Sequence, residues 1–304
     1  MSSSNISVVM ATFNGSKYLS AQLDSILAQT LKPYEIIIID DCSSDDTWDI
    51  LQSYQRQYDF IKLYQNDKNM GCVKSFFTGL QYSTSDYIAF CDQDDLWLPN
   101  KLAVLTNSIG DNLLIFSGER LIDSNSNMIH GILCANNCAG LSFFDYLLQN
   151  KVRGCCSMIS RKILDYGYLE AFYIHDHYFA LLASSLNKIQ YIPNQLVLYR
   201  QHNDNVIGAN KFPYDKFIAH SQIVADSYSL LLGLDVFKPE SASIRLIRDY
   251  RQAIATGKFI SWKNIYKLLF FPRGASLIIY YFLVGKVFGY KFSKKMYNFI
   301  HKLN

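Results

Sequence analysis

Four short apolar runs constrain this chain more than anything else in it. Ile6–Thr12 is rich in β-branched residues, and Glu35–Asp40 holds four consecutive isoleucines. Ile61–Tyr64 and Tyr87–Cys91 follow. A continuous β-branched run suits a strand buried on both faces, as in parallel sheets covered by helices. The segments between them have helical spacing. Leu19, Leu23, Ile26 and Leu27 mark one helix within Ser16–Gln29, and Val73, Phe76, Phe77 and Leu80 mark another. Pro33 ends the first region, and Ser43-Ser44-Asp45-Asp46 offers capping groups to a helix reaching about Tyr58. The first two strands begin 29 residues apart, the size of one βαβ unit. The pattern predicts an α/β fold with a mostly parallel sheet between helices.

Beyond residue 112 the pattern is mixed. Leu113–Ser117 reads as a strand, Leu164–Phe172 and Tyr178–Leu186 as helices, and Ile189–Ile192 and Leu196–Tyr199 as short strands bracketing Pro193. Past residue 210 the strand signals vanish and the chain reads as helical. We therefore expect a catalytic domain over residues 1–210 and a helical extension over 211–304. Charge divides along similar lines. From Tyr250 onward the chain carries ten Lys or Arg and no Asp or Glu, so a net charge of +3 overall leaves an acidic body of −7. That is not a nucleic-acid footprint. A basic, aromatic tail suits contact with an anionic membrane surface. Its longest apolar stretch, Ala275–Val284, is half of what spans a bilayer. The polar Met1–Asn5 followed by Ile6–Ala11 does not read as a signal peptide. The seven cysteines have no disulfide or zinc spacing.

Chemistry-bearing side chains gather where the predicted strands end, which is where open parallel sheets bind ligands. Thr12-Phe13-Asn14-Gly15 follows the first strand, Asp40-Asp41 the second, and Asp92-Gln93-Asp94-Asp95 the fourth. No Gly-x-Gly-x-x-Gly or P-loop is present, so bound phosphates would need a cation. Asp-x-Asp supplies hard oxygen ligands for Mn²⁺ or Mg²⁺ while leaving positions open for diphosphate oxygens.

These segments, with Gly154-Cys155, His175-Asp176-His177 and Leu198-Tyr199-Arg200-Gln201-His202-Asn203-Asp204-Asn205-Val206, occur in the order and spacing of a family. The chain resembles family 2 glycosyltransferases of the GT-A fold over roughly residues 5–208. The Arg-Gln-His-x-x-Asn-Val segment is similar to the rhamnosyltransferase-like branch. The resemblance implies a Rossmann-like sheet and an inverting, metal-dependent transfer of a sugar from a nucleotide donor. Thr12, Asn14, Asp40, Asp41, Lys74 and Asp92 would bind the donor nucleotide. A carboxylate at Asp41 would favour uracil or thymine, whose N3–H is a donor. Gly154, Arg200 and His202 would meet the donor sugar or diphosphate, Asp94 and His202 the metal, and Asp176 would be the general base. Asp95 would hold metal-bound water or cap the following helix. His175 stands where many relatives have Glu.

The implied function is transfer of a sugar, rhamnose from dTDP-rhamnose in the first instance, to a growing and lipid-linked cell-surface polysaccharide. The setting implied is cytoplasmic, peripheral on the inner face of the membrane. UDP-hexose or UDP-N-acetylhexosamine donors are the alternative within the family. A nucleotidyltransferase would carry a Gly-rich basic loop after the first strand, where Thr12-Phe13-Asn14-Gly15-Ser16-Lys17 stands instead. A non-catalytic glycan-binding scaffold would not need intact Asp92, Asp94 and Asp176.

Overall fold

A computed structural model describes residues 5–129, 138–202 and 214–256. The tail from 257 on, Cys134 and the Asn203–Val206 part of the late motif lie outside the described residues. The described residues divide into two compact units, one of residues 5–129, 138–141 and 150–202, the other of residues 142–149 and 214–256.

The first unit is built on one eight-stranded sheet. Its strands are β1 (Ile6–Thr12), β2 (Glu35–Asp40), β3 (Ile61–Gln65), β4 (Tyr87–Cys91), β5 (Leu96–Trp97), β6 (Leu114–Ile122), β7 (Ser157–Ser160) and β8 (Ile189–Arg200). They lie in the order β3-β2-β1-β4-β7-β6-β8-β5. The four strands read from the apolar runs are parallel. Beyond them the sheet is mixed, because β7 runs antiparallel to both β4 and β6, and β5 antiparallel to β8. Every residue of β2 is buried, as its isoleucine run requires.

Helices α1 (Ser16–Leu27), α2 (Thr47–Gln55), α3 (Cys72–Tyr82), α4 (Lys101–Ile109) and α6 (His175–Ser185) belong to this unit, and α5 (Phe143–Leu148) to the other. α1 buries Leu19, Leu23 and Ile26. α3 buries Phe76, Phe77 and Leu80. It lies so close to β1 that a Cβ on Gly79 would stand 2.4 Å from Val9 Cγ1. α2 begins after Asp45, whose carboxylate accepts from the Thr47 N–H at 3.0 Å and from its hydroxyl.

Two local expectations change. Leu164–Phe172 is not an α-helix. A 3₁₀ turn covers Arg161–Tyr166 and ends at Gly167, whose φ of +83° breaks the helix. The two strands around Pro193 are one strand, β8, with a bulge. Its register against β6 jumps from Ser117↔Ile192 to Gly118↔Gln195, leaving Pro193, which has no N–H to give the ladder, out of the pairing.

In the second unit α5 groups with α7 (Tyr214–Leu231) and α8 (Ser241–Thr256). The Tyr228 hydroxyl donates to the Leu147 carbonyl, and Arg251 Nη2 donates to that of Leu148 at 2.9 Å. Ser142 and Asp145 form a capping box on α5. Among the described residues no helix is long and apolar enough to cross a membrane.

Candidate active site at the strand ends

Two neighbouring carboxylates at the end of β2 are held in different ways. Asp40 is fully buried. Its Oδ1 accepts from the Thr12 hydroxyl (2.9 Å) and the Ser43 hydroxyl (2.6 Å), and its Oδ2 from the Ser43 N–H and Gln65 Nε2 (both 3.0 Å). A carboxylate has about four acceptor positions, so Asp40 spends its capacity on the loop. This corrects the expectation that Asp40 contacts a nucleotide. Thr12 likewise serves as a donor inside this knot. Asp41 accepts from Asn66 Nδ2 and the Met70 N–H on Oδ1 and from the Gly71 N–H on Oδ2, each at 2.7 Å. One acceptor position on Oδ2 is left. Gly71 takes a φ of +87° to make its bond, a conformation side-chain-bearing residues avoid. Asn14, exposed and with φ of +47°, ties the β1 and β2 loops by accepting from the Ser44 N–H at 2.8 Å. Lys74 is exposed on the first turn of α3 and makes no hydrogen bond or ion pair among the described residues.

The acidic loop after β4 is tied to β1 by a residue sequence reading passed over. Gln93 Oε1 accepts from the Phe13 N–H at 2.8 Å, and its Nε2 donates to the Phe13 carbonyl at 3.1 Å. Asp94 Oδ2 lies 2.7 Å from His202 Nε2. Asp95 is fully buried, accepts from the Arg200 N–H at 2.9 Å, and has no hydrogen-bond partner on Oδ2. It does not cap α4, which starts after Asn100. Arg200 has a bracing role that the motif did not show. Its buried guanidinium donates to the Asp94 carbonyl (2.7 Å), the Asp123 carbonyl (3.1 Å) and the Ser126 hydroxyl (2.9 Å), and lies over the Tyr18 ring. Three of its five N–H donors brace the acidic loop from behind.

Burial, then Asp94 and Asp176, push the Asp92 carboxyl up to about 7. Burial, then Asp94 and Asp92, push Asp95 well above the usual carboxylate range. Asp176, in the first turn of α6, accepts from the Gly154 N–H at 2.9 Å and from Asn150 Nδ2 at 2.8 Å. Burial still lifts its carboxyl to about 6. Gly154 is required by packing, since a Cβ there would stand 2.8 Å from His175 Nε2. His175 is buried against Phe76 and Phe90, and burial pushes it down to about 3, so it is neutral. The Cys72 thiol, at the start of α3, is raised by burial and then by the charges of Asp92, Asp176 and Asp41.

The structure thus gathers Asp92, Asp94, Asp95, Asp176, Gly154 and His202 in one place, with Asp41 at the end of β2, on the far side of β1 from β4. The donor set fits a divalent cation. Asp95 Oδ2 is an orphaned buried oxygen, and ligand atoms of Asp92, Asp95 and Cys155 lie within 4.8 Å of one another. The Cys155 thiol, raised by its bond to Cys156 and then by burial, stays protonated, so oxygens from the aspartates would be the ligands of a hard ion. Gln93, Asn150 and Asn66 carried no sequence signal, because each acts through a partner at least 25 residues away.

A sequence model of glycosyl transferase family 2 matches residues 7–167. The dTDP-rhamnosyl transferase RfbG of Shigella flexneri is 30% identical over 219 residues, which is 66% of this chain and 74% of the relative. The UDP-Glc:alpha-D-GlcNAc-diphosphoundecaprenol beta-1,3-glucosyltransferase WfgD of Escherichia coli is 27% identical over 68% of this chain and 81% of its own. Among solved structures, S. aureus TarS 1–349 in complex with UDP-GlcNAc superposes with a TM-score of 0.64 at 16% identity, covering 98% of this chain and 92% of that one. The mannosyltransferase PcManGT of Pyrobaculum calidifontis, in complex with GDP-Man and Mn²⁺, gives 0.56 at 14% identity over 97% and 84%. These two likenesses are of fold.

Proposed function

The chain belongs to glycosyl transferase family 2, and from that premise we propose that it moves a sugar from a nucleotide donor onto a hydroxyl of a growing cell-surface polysaccharide, inverting the anomeric carbon. The observation that carries this reading is Asp176. It is a buried carboxylate held by Gly154 and Asn150, close enough to Asp92 for the two charges to raise Asp92, and with a carboxyl at about 6. Such a group is ionised at neutral pH yet basic enough to take a proton.

In this reading the free acceptor position of Asp41 takes the N3–H of the base. Thr12 and Asn14 shape that pocket through the loops they tie. Asp92 meets the ribose, and Lys74 lies free to reach the donor. Asp94 and His202 would hold Mn²⁺ or Mg²⁺, with Asp92 and Asp95 beside them. A bound divalent ion would offset charge developing on the leaving diphosphate. Asp176 takes the proton of the acceptor hydroxyl as its oxygen attacks the anomeric carbon, and the bond to the diphosphate breaks on the opposite face. Gly154 and Asn150 keep the carboxylate aimed.

We take the donor to be dTDP-rhamnose, on the strength of the Arg200–His202 segment and the name of the Shigella relative. A UDP-hexose or UDP-N-acetylhexosamine is the second reading, favoured by the WfgD and TarS names. Asp41 does not discriminate, since uracil and thymine share the N3–H. The WfgD name and the basic tail support a lipid-linked acceptor, a catalytic region over 1–210, a membrane-associating one over 211–304, and a place on the cytoplasmic face of the membrane. The test is transfer from each donor to a diphospholipid-linked sugar, with the product's anomeric configuration read by NMR. Inverted product from the wild type and none from Asp176→Asn supports the reading. Retained configuration would overturn it.

A further inference from the structure

The first residue of α4 is a hidden cation. Lys101 is fully buried, its ammonium donates to the Cys155 carbonyl, and it lies over the Trp97 ring, 3.2 Å from the centroid. The position works against a lysine on two counts. A cation at a helix N-terminus faces the positive end of the dipole, and an ammonium out of water loses hydration that one carbonyl, one indole face and the nearby carboxylates of Asp95 and Asp92 replace only in part. Burial pushes its pKa down to about 8. A methionine would fill the same space without either cost, so the ammonium must be kept for what it holds.

What it holds leads to the reaction centre. The Cys155 carbonyl and the Gly154 N–H belong to one 3₁₀ turn, Gly154–Cys156. The Gly154 N–H is the donor on Asp176 Oδ2. The Cys155 side chain faces Asp92 and Asp95. We propose that Lys101 is a positioning residue, clamping the Gly154–Cys155 turn so that Asp176 keeps its hydrogen bond and its aim. The proposal rests on the reading of Asp176 as the base. Lys101 touches no reacting atom. It works through a backbone turn, whereas Arg200 braces the acidic loop itself.

The experiment compares Lys101→Met and Lys101→Arg with the wild type in the full chain. Hydrogen–deuterium exchange across residues 152–158 reads the clamp without any substrate. Steady-state kinetics read the reaction. Lys101→Met should raise exchange in that segment about tenfold. It should cut kcat by about 10²-fold, the scale of a misplaced catalytic group, with the donor KM within about threefold. Lys101→Arg keeps a charged donor that stacks on indole and should restore protection and most of kcat. Wild-type exchange and kcat in Lys101→Met would overturn the proposal. So would a fall in kcat matched by an equal rise in KM that Arg does not rescue. If Lys101→Met does not fold, Lys101→Arg decides: folded, protected and active supports the clamp, and folded but unprotected overturns it. A wild type that transfers no sugar would sink the functional reading, while the exchange data would still judge the clamp.

Discussion

Asp40 and Asp41 are adjacent carboxylates, the first with its acceptor positions filled by the loop and the second with one left over, and the difference is testable. Asp40→Asn leaves buried donors facing an amide N–H and should cost about 3 kcal/mol in chemical denaturation, with donor affinity changed less than about threefold. Asp41→Asn should weaken donor binding at least about tenfold, because it loses the acceptor for the base N–H. Equal effects of the two on affinity would contradict the division. Asp176 makes a pH prediction. As the proposed base it must be ionised, so kcat should fall on the acid side near pH 6, following the raised carboxyl. Its stability effect has the reverse sign from a salt-bridged aspartate. The folded pKa lies above the unfolded one, so protonation favours the folded state, and the contribution is present at low pH and lost as pH rises through about 6. Relative to Asp176→Asn, the wild type should therefore gain about 1 kcal/mol between pH 7.5 and pH 5, read from denaturation curves. An acid limb unchanged in the residual activity of Asp176→Asn would move the base elsewhere.

At the level of elements, the parallel half was readable because β1 and β2 are β-branched runs, β3 and β4 are short apolar ones, and the helices between them carry apolar stripes. In the rest of the sheet β6 and β8 were readable in outline, but β5 and β7 were not. β7 is four residues, Ser-Met-Ile-Ser, with no alternation to betray it, and β5 is two. Pro193 disguised one strand as two, because a bulge absorbs the missing N–H. The roles of Asp40 and Arg200 were hidden for a related reason. A motif shows which residue types stand at a strand end, but their partners at Gln65, Asp123 and Ser126 come from other strands and turns. Close packing gives a prediction here too. Gly79→Ala drives a methyl into Val9, buried against it in β1, and should destabilise by about 1–3 kcal/mol. Unchanged stability would mean that α3 sits less tightly on β1.

Across the whole chain, charge and chemistry are segregated. The acidic body holds a cluster of aspartates that raise one another, and the ten basic residues from Arg251 onward carry no compensating acid. If that tail meets an anionic membrane, the full chain should sediment with phosphatidylglycerol vesicles at low salt and be released as ionic strength rises. Truncation after Thr256 should abolish binding without changing transfer to a soluble acceptor. Salt-insensitive binding, or none, would contradict it. In the proposed function Asp41 and the acidic loop together make a cation-assisted nucleotide-sugar site. Saturation-transfer NMR against a panel of dTDP- and UDP-sugars, with Mg²⁺ and then with EDTA, decides it. A signal from one donor should fade with EDTA in the wild type and be missing in Asp41→Asn. Folded wild-type protein that binds no donor with metal present, or binds one equally well in Asp41→Asn and in EDTA, would contradict it.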